Sequence, residues 1–207
     1  MKNAVFALAA AILVFGSAAH ATSFTGDYRI DKLGTTDPGL IVSTHDLPGA
    51  VHFTLDAVGD KAKVNLFKLF TPETSIDADD LKAKPIWVGF DLTALGLGAV
   101  TGADVTGSTI GQKLLLGLVQ GGAVNWGAGQ VYDFGDGGQI LVTLNNATFD
   151  QGAFAPKGGL DRAATVTATF TLISAAAVPE PATWALMIGG FGLAGVALRR
   201  RGGLVAA

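Results

Sequence analysis

The 207-residue sequence predicts an all-β protein: an antiparallel β-sandwich, flanked by an N-terminal signal peptide and a C-terminal single transmembrane helix. Three observations point there. Apolar residues recur with a period of two through the middle of the chain, as strands with one buried face require. Clusters of Gly, Pro, Asp and Asn separate those runs. Mean hydropathy is +0.44 with only 15% charged residues, against about 25% in an ordinary soluble domain, so apolar segments outside a core inflate the figure.

The first element is residues 1–21. Lys2 supplies a positive n-region, and Ala4 to Phe15 is an uncharged apolar run. Gly16 and Ser17 lead to the small-residue site Ala19-His20-Ala21. Charge, apolar run and A-x-A site in that order make an export signal, with cleavage by signal peptidase expected after Ala21 and Thr22 as the mature N-terminus. The run is apolar on every face, unlike a surface helix of a domain.

The second element, residues 22–174, is the β-sandwich. Val51, Phe53, Leu55 and Ala57 alternate with His52, Thr54 and Asp56; Val166, Ala168, Phe170 and Leu172 alternate with threonines. Ile140, Val142 and Leu144 form a third such run, and further strands are expected at 24–30, 63–70, 86–92, 113–120 and 131–134. Turn chemistry lies at Asp37-Pro38-Gly39, Leu47-Pro48-Gly49, Gly59-Asp60 and Gly135-Asp136-Gly137-Gly138, the last reading as a hairpin. Residues 77–84 read as one short helical turn before Pro85. The glycine-rich, charge-poor stretch 89–138 reads as long surface loops over a sheet, with an exposed apolar partner surface as the rival. Short strands with Gly-rich turns suit a sandwich, a jelly roll among the possible arrangements.

Charge narrows the function classes. Between Thr22 and Val178 there are ten basic and 16 acidic residues, a net formal charge of −6. A nucleic-acid partner needs a basic footprint, which this region lacks. The length suffices for a core without staples, consistent with a Cys count of 0.

Chemistry in the domain is thin, and no catalytic residue is expected. Ser43, His45 and Asp46 have the types of a nucleophilic triad, but their spacing points the side chains apart. Gly107-Ser108-Thr109-Ile110-Gly111 has the wrong order for a nucleophile elbow. With His45 and His52 the only histidines after the signal, no zinc site is expected. Calcium needs only carboxylates and carbonyls. Asp77, Asp79 and Asp80 form one acidic knot, and Asp133 and Asp136 another. Neither follows the EF-hand spacing, and a solvated helix start and a hairpin turn are the simpler expectations, so no cofactor is assigned. Glycan platforms would be Tyr28, Trp87, Trp126 or Tyr132. Trp126, between Asn125 and Gly127, is expected exposed, and Trp87, between Ile86 and Val88, in a core. Nothing marks a glycosidase carboxylate pair; the lone domain glutamate, Glu73, falls in an expected loop.

The tail carries the most specific signal. A linker, residues 175–181, ends in Pro179-Glu180-Pro181. Ala182 to Leu198 follows without a charge and would span roughly 26 Å as a helix, at the low end of the spanning range. Trp184 would lie at one interface, and Arg199, Arg200 and Arg201 at the cytoplasmic one, stopping transfer. Residues 199–207 are then a basic cytoplasmic tail. The two prolines hold the backbone extended outside the helix, as entry into a protease cleft requires.

These residues resemble the PEP-CTERM sorting signal in its PEPxxWA form. The likeness rests on Pro179-Glu180-Pro181, Trp184-Ala185, the Met187-Ile188-Gly189-Gly190-Phe191-Gly192 run and Arg199-Arg200-Arg201, and is confined to 178–201. Gly202 to Ala207, beyond the arginines, departs from it. The resemblance implies a Gram-negative, exopolysaccharide-producing bacterium and recognition by exosortase, a membrane protease that would cut near the motif. It also implies a transient inner-membrane intermediate, then release or attachment at the cell surface or in the extracellular matrix. The sequence reading is thus an exported, non-enzymatic surface or matrix protein. A carbohydrate-binding module for exopolysaccharide, with Trp126 touching glycan, is the alternative, and a secreted hydrolase the weaker one.

Overall fold

The computed structural model describes residues 21–32, 37–47, 50–177, 186–193 and 195. Among the described residues, twelve strands occupy the β unit, His20–Ala177. They are β1 (Thr22–Lys32), β2 (Ser43–Asp46), β3 (Val51–Leu55), β4 (Lys61–Phe70), β5 (Lys84–Ala94), β6 (Gly98–Gly102), β7 (Val105–Leu114), β8 (Val119–Trp126), β9 (Gln130–Phe134), β10 (Gly138–Leu144), β11 (Ala147–Ala153) and β12 (Ala164–Ser174). All pairings are antiparallel.

Two layers follow from the pairing. One runs β3-β1-β5-β7-β8-β11 and the other β2-β4-β12-β10-β9. β5 divides one edge, giving residues 84–88 to β7 and 92–94 to β6. β6 then pairs β9, so the two layers are joined through it.

The period-two pattern explains the core. In β3, Val51, Phe53 and Leu55 are buried and His52 and Thr54 exposed. In β12, Ala164, Val166, Ala168, Phe170 and Leu172 are buried. Their side chains meet across the layers: Phe53 stacks on Phe170 at 4.1 Å, and Phe24 and Phe90 meet Phe134 and Phe170 edge-on at 5.1 and 5.4 Å. Such rings each remove a large apolar area from water and prefer these offset or edge-to-face geometries.

The glycine-rich stretch is the main correction. Residues 89–138, read as long surface loops around strands expected at 113–120 and 131–134, hold β6, β7 and β8 as well as β9, which matches the expected 131–134 strand. Glycine weakens a strand when no side chain packs in its place. Here an aromatic ring on the neighbouring strand does. Four register pairs join a glycine to a ring: Gly102 with Tyr132, Gly107 with Trp126, Gly122 with Phe149 and Gly138 with Phe134. A Cβ placed on any of these glycines would fall 2.2–2.6 Å from its partner's ring. Glycine and ring together fill one cross-strand site, the unit that stabilises sheets.

Three smaller corrections concern the limits of strands and turns. The strand expected at 113–120 is broken: β7 ends at Leu114, Leu115–Gly117 makes a 3-10 turn, and β8 starts at Val119. The helical turn expected at 77–84 is instead a non-helical turn over 78–81. There Asp79 and Asp80 accept hydrogen bonds from the backbone N–H groups of Gly39 and Asp77, and such side-chain bonds compete with helix formation. The run ending at Ala57 stops at Leu55, where the Asp60 carboxylate takes the N–H groups of Asp56 and Ala57 and closes a turn.

In the other unit the described residues, 186–193 and 195, are helical. Among the described residues no helix is long and apolar enough to cross a membrane. The expected span Ala182 to Leu198 lies partly outside the described residues. The signal segment through His20, the Pro179-Glu180-Pro181 motif, Trp184 and Arg199 to Arg201 lie wholly outside them.

Candidate functional site

The densest set of titratable groups sits where the 37–42 and 71–82 connections meet. Asp37, Ile41, Pro72, Glu73, Thr74, Ser75, Asp77 and Asp80 line a depression of about 290 Å³ there. The carboxylates of Asp77, Asp79 and Asp80 lie within 4.8 Å of one another. Glu73, expected in a lone loop, joins them. Its Oε1 accepts the Ile41 N–H at 2.5 Å, and Asp79 Oδ2 accepts the Gly39 N–H at 2.6 Å. Asp80 is buried and accepts the Asp77 N–H at 2.8 Å. Lys84 Nζ donates to the Gly39 carbonyl at 2.8 Å.

Burial and hydrogen bonding, with like charge nearby, shift these groups apart. Burial, with Asp80 and Asp77 nearby, pushes the Glu73 carboxyl up to about 7. A hydrogen bond that the Asp77 carboxyl donates to Asp79 raises Asp77, and the same bond, with that from the Gly39 N–H, holds Asp79 down to about 2. The cluster therefore keeps a proton near neutrality. Chemically it offers several oxygen ligands of the kind a hard cation takes. Structurally, Glu73 and Asp79 already serve as acceptors that tie the two connections together, and Asp80 closes the turn beside them. The E-x₃-D-x-D-D spacing from Glu73 to Asp80 was the readable signal for this gathering; Asp37 comes from a distant turn and had none.

The other anticipated residues are dispersed. Asp46 accepts the Tyr28 hydroxyl at 3.1 Å, whereas Ser43 is half-buried and His45 exposed on β2. Asp133 takes the Gln139 amide at 2.9 Å across the β9–β10 hairpin, while Asp136 sits in its turn. Tyr132 is buried and Tyr28 half-buried, its hydroxyl donating to the Leu66 carbonyl at 2.6 Å.

Both domain tryptophans depart from expectation, Trp126 more than Trp87. Trp126 is 7% exposed, laid over Gly107, with its indole Nε1 unpartnered. Trp87 is half-buried, because Ile86 and Val88 beside it both take the buried face of β5. Strand alternation, not the polarity of chain neighbours, decides the facing. The expected glycan contact at Trp126 thus loses its premise of exposure.

Asp150 had no sequence signal. It sits at an irregularity in β11 with φ of 53° and is buried. Its Oδ2 accepts the Thr71 N–H while Oδ1 has no partner, and burial raises its carboxyl pKa.

With the fold and cluster in view, similarity to known proteins is confined to the tail. Residues 177–201 match the PEP-CTERM protein-sorting motif. That range spans Pro179-Glu180-Pro181, Trp184 and Arg199 to Arg201. The chain thus carries, near its C-terminus, a sorting signal of the kind processed by exosortase and directed to the cell surface. No curated protein and no solved structure matches the chain.

Proposed function

We propose that this is an exported, non-enzymatic protein of the cell surface or extracellular matrix, whose β domain is the delivered cargo. The PEP-CTERM match at residues 177–201 carries the reading. Signal peptidase would remove residues 1–21, leaving Thr22, the first residue of β1, at the N-terminus. Ala182 to Leu198 would insert in the inner membrane, Arg199 to Arg201 would halt transfer, and Pro179-Glu180-Pro181 would face exosortase outside.

Intact mass of the native protein from cell surface and medium tests this. A mass running from Thr22 to about Val178, or a larger heterogeneous one bearing an attached glycan or lipid, is the expected result. A mass from Thr22 to Ala207, found only in membranes, would overturn it and make the tail a plain anchor.

A further inference from the structure

The turn between β7 and β8 presents apolar side chains that no described residue covers. Leu114, Leu115, Leu116 and Leu118 are 43, 70, 106 and 50% exposed, and Phe154 is 71% exposed. Phe154 belongs to the same tip: its N–H donates to the Leu118 carbonyl at 2.8 Å, and Ala153 pairs with Val119. Leu115, Leu116 and Phe154 all hold left-handed backbone, at φ of 49°, 59° and 65°. That conformation is unfavourable for such side chains. The fold thus spends backbone strain while leaving leucines outside the core.

Shape and charge select the occupant. The five side chains expose roughly 600 Å², the top of the range for the largest patch on a monomer. Two tips meeting face to face would bury about 1,200 Å² at best, the lower limit for a specific protein pair. They would fall short of it, because Leu116 stands clear of every neighbour and the knob is convex. The two described depressions are polar-lined and offer no seat for it. A lipid surface needs no complementary shape. Lys113 is the sole charged residue from 105 to 132. It lies one register row below the tip, opposite Gln120, which pairs with Gly152, over which the Lys157 stem lies. Apolar tip and cationic shoulder match hydrocarbon and headgroup phosphate. The Glu73–Asp80 segment approaches the same row, Ile76 N–H donating to Gln120, and its carboxylates oppose anionic lipid.

We propose that Leu115, Leu116, Leu118 and Phe154 insert into the interface of a zwitterionic phospholipid layer, driven by apolar burial rather than net charge. The tail's sorting signal brings the chain to a membrane; the tip gives the domain its own contact with one.

The chain has no cysteine, so Leu116→Cys carries a polarity-sensitive fluorophore at one site. Thr106→Cys, exposed midway along the sheet opposite Trp87, serves as the reference. The full chain is reconstituted in phosphatidylcholine vesicles, so that the tail retains both variants equally. A several-fold rise in emission at position 116 and quenching by nitroxide lipids are expected, with neither at position 106. Adding Leu115→Asn, a residue that tolerates left-handed backbone, should reduce the rise without changing the circular dichroism. Water-like emission at 116 in vesicles would overturn the proposal. So would a rise without lipid that grows with protein concentration, which would make a second copy the occupant.

Discussion

Gly122→Ala is the sharpest test of why a glycine-rich stretch forms strands. Gly122 lies in β8 opposite Phe149, and its backbone is outside the left-handed region. Alanine therefore brings no backbone strain, and the methyl is the only addition. That methyl would fall 2.2 and 2.3 Å from two Phe149 ring carbons. Phe149 is 1% exposed and has no open side to move toward. Overpacking of this kind costs about 1–3 kcal/mol. For a domain of this size, ~2 kcal/mol lowers Tm by about 4–8 °C. Thermal circular dichroism of the full chain in mild detergent reads the shift. In a solvated loop the sign would reverse, because Gly→Ala then stabilises by about 0.4–1 kcal/mol through the unfolded chain. An unchanged or raised Tm would refute the glycine–ring account. A double-mutant cycle sharpens it: Phe149→Ala alone costs ~3–5 kcal/mol, and the added Gly122→Ala should then cost nothing.

Other outcomes follow from the buried polar groups and the tail. Glu73 is raised to about 7 in the folded chain, so the folded state holds the extra proton between the unfolded value and neutrality. Its stabilising contribution is full below the unfolded pKa and disappears as pH rises through about 7; in Glu73→Gln, the fall in Tm from pH 5 to 8 should flatten. Asp150→Asn keeps an acceptor for Thr71 and removes a buried charge, so Tm should rise at pH 7 and the difference from wild type shrink in acid, since burial raises the native carboxyl. Asp150→Ala instead orphans the Thr71 N–H and should cost about 1–3 kcal/mol, read by urea denaturation. Trp126→Ala should cost ~3–5 kcal/mol as a core truncation, whereas Trp126→Phe, which removes the unpartnered indole N–H, should change stability by less than ~1.5 kcal/mol. Replacing Arg199, Arg200 and Arg201 together by Ala should reduce the membrane-retained precursor and its processing, measured by pulse-chase; unchanged processing would remove the stop-transfer role.

By itself the sequence determined what depends on local order. Alternation in Val51-His52-Phe53-Thr54-Leu55 and Thr165–Leu172 set strands and their buried faces, because side-chain facing along a strand needs only a period of two. The Gly135–Gly138 turn was legible because its conformational demands are local. The sorting motif was legible for a related reason: a short linear signal is read by its order, not by a fold. Tertiary structure alone decided most of the glycine-rich half, β6 to β8, since a glycine reads as loop until a ring from another strand occupies its vacant side. It also decided that Trp126 faces inward, that Asp37 joins the Glu73–Asp80 run, and that Asp150 is buried beneath Thr71. Each depends on pairing between distant segments, and no window of the chain contains both partners.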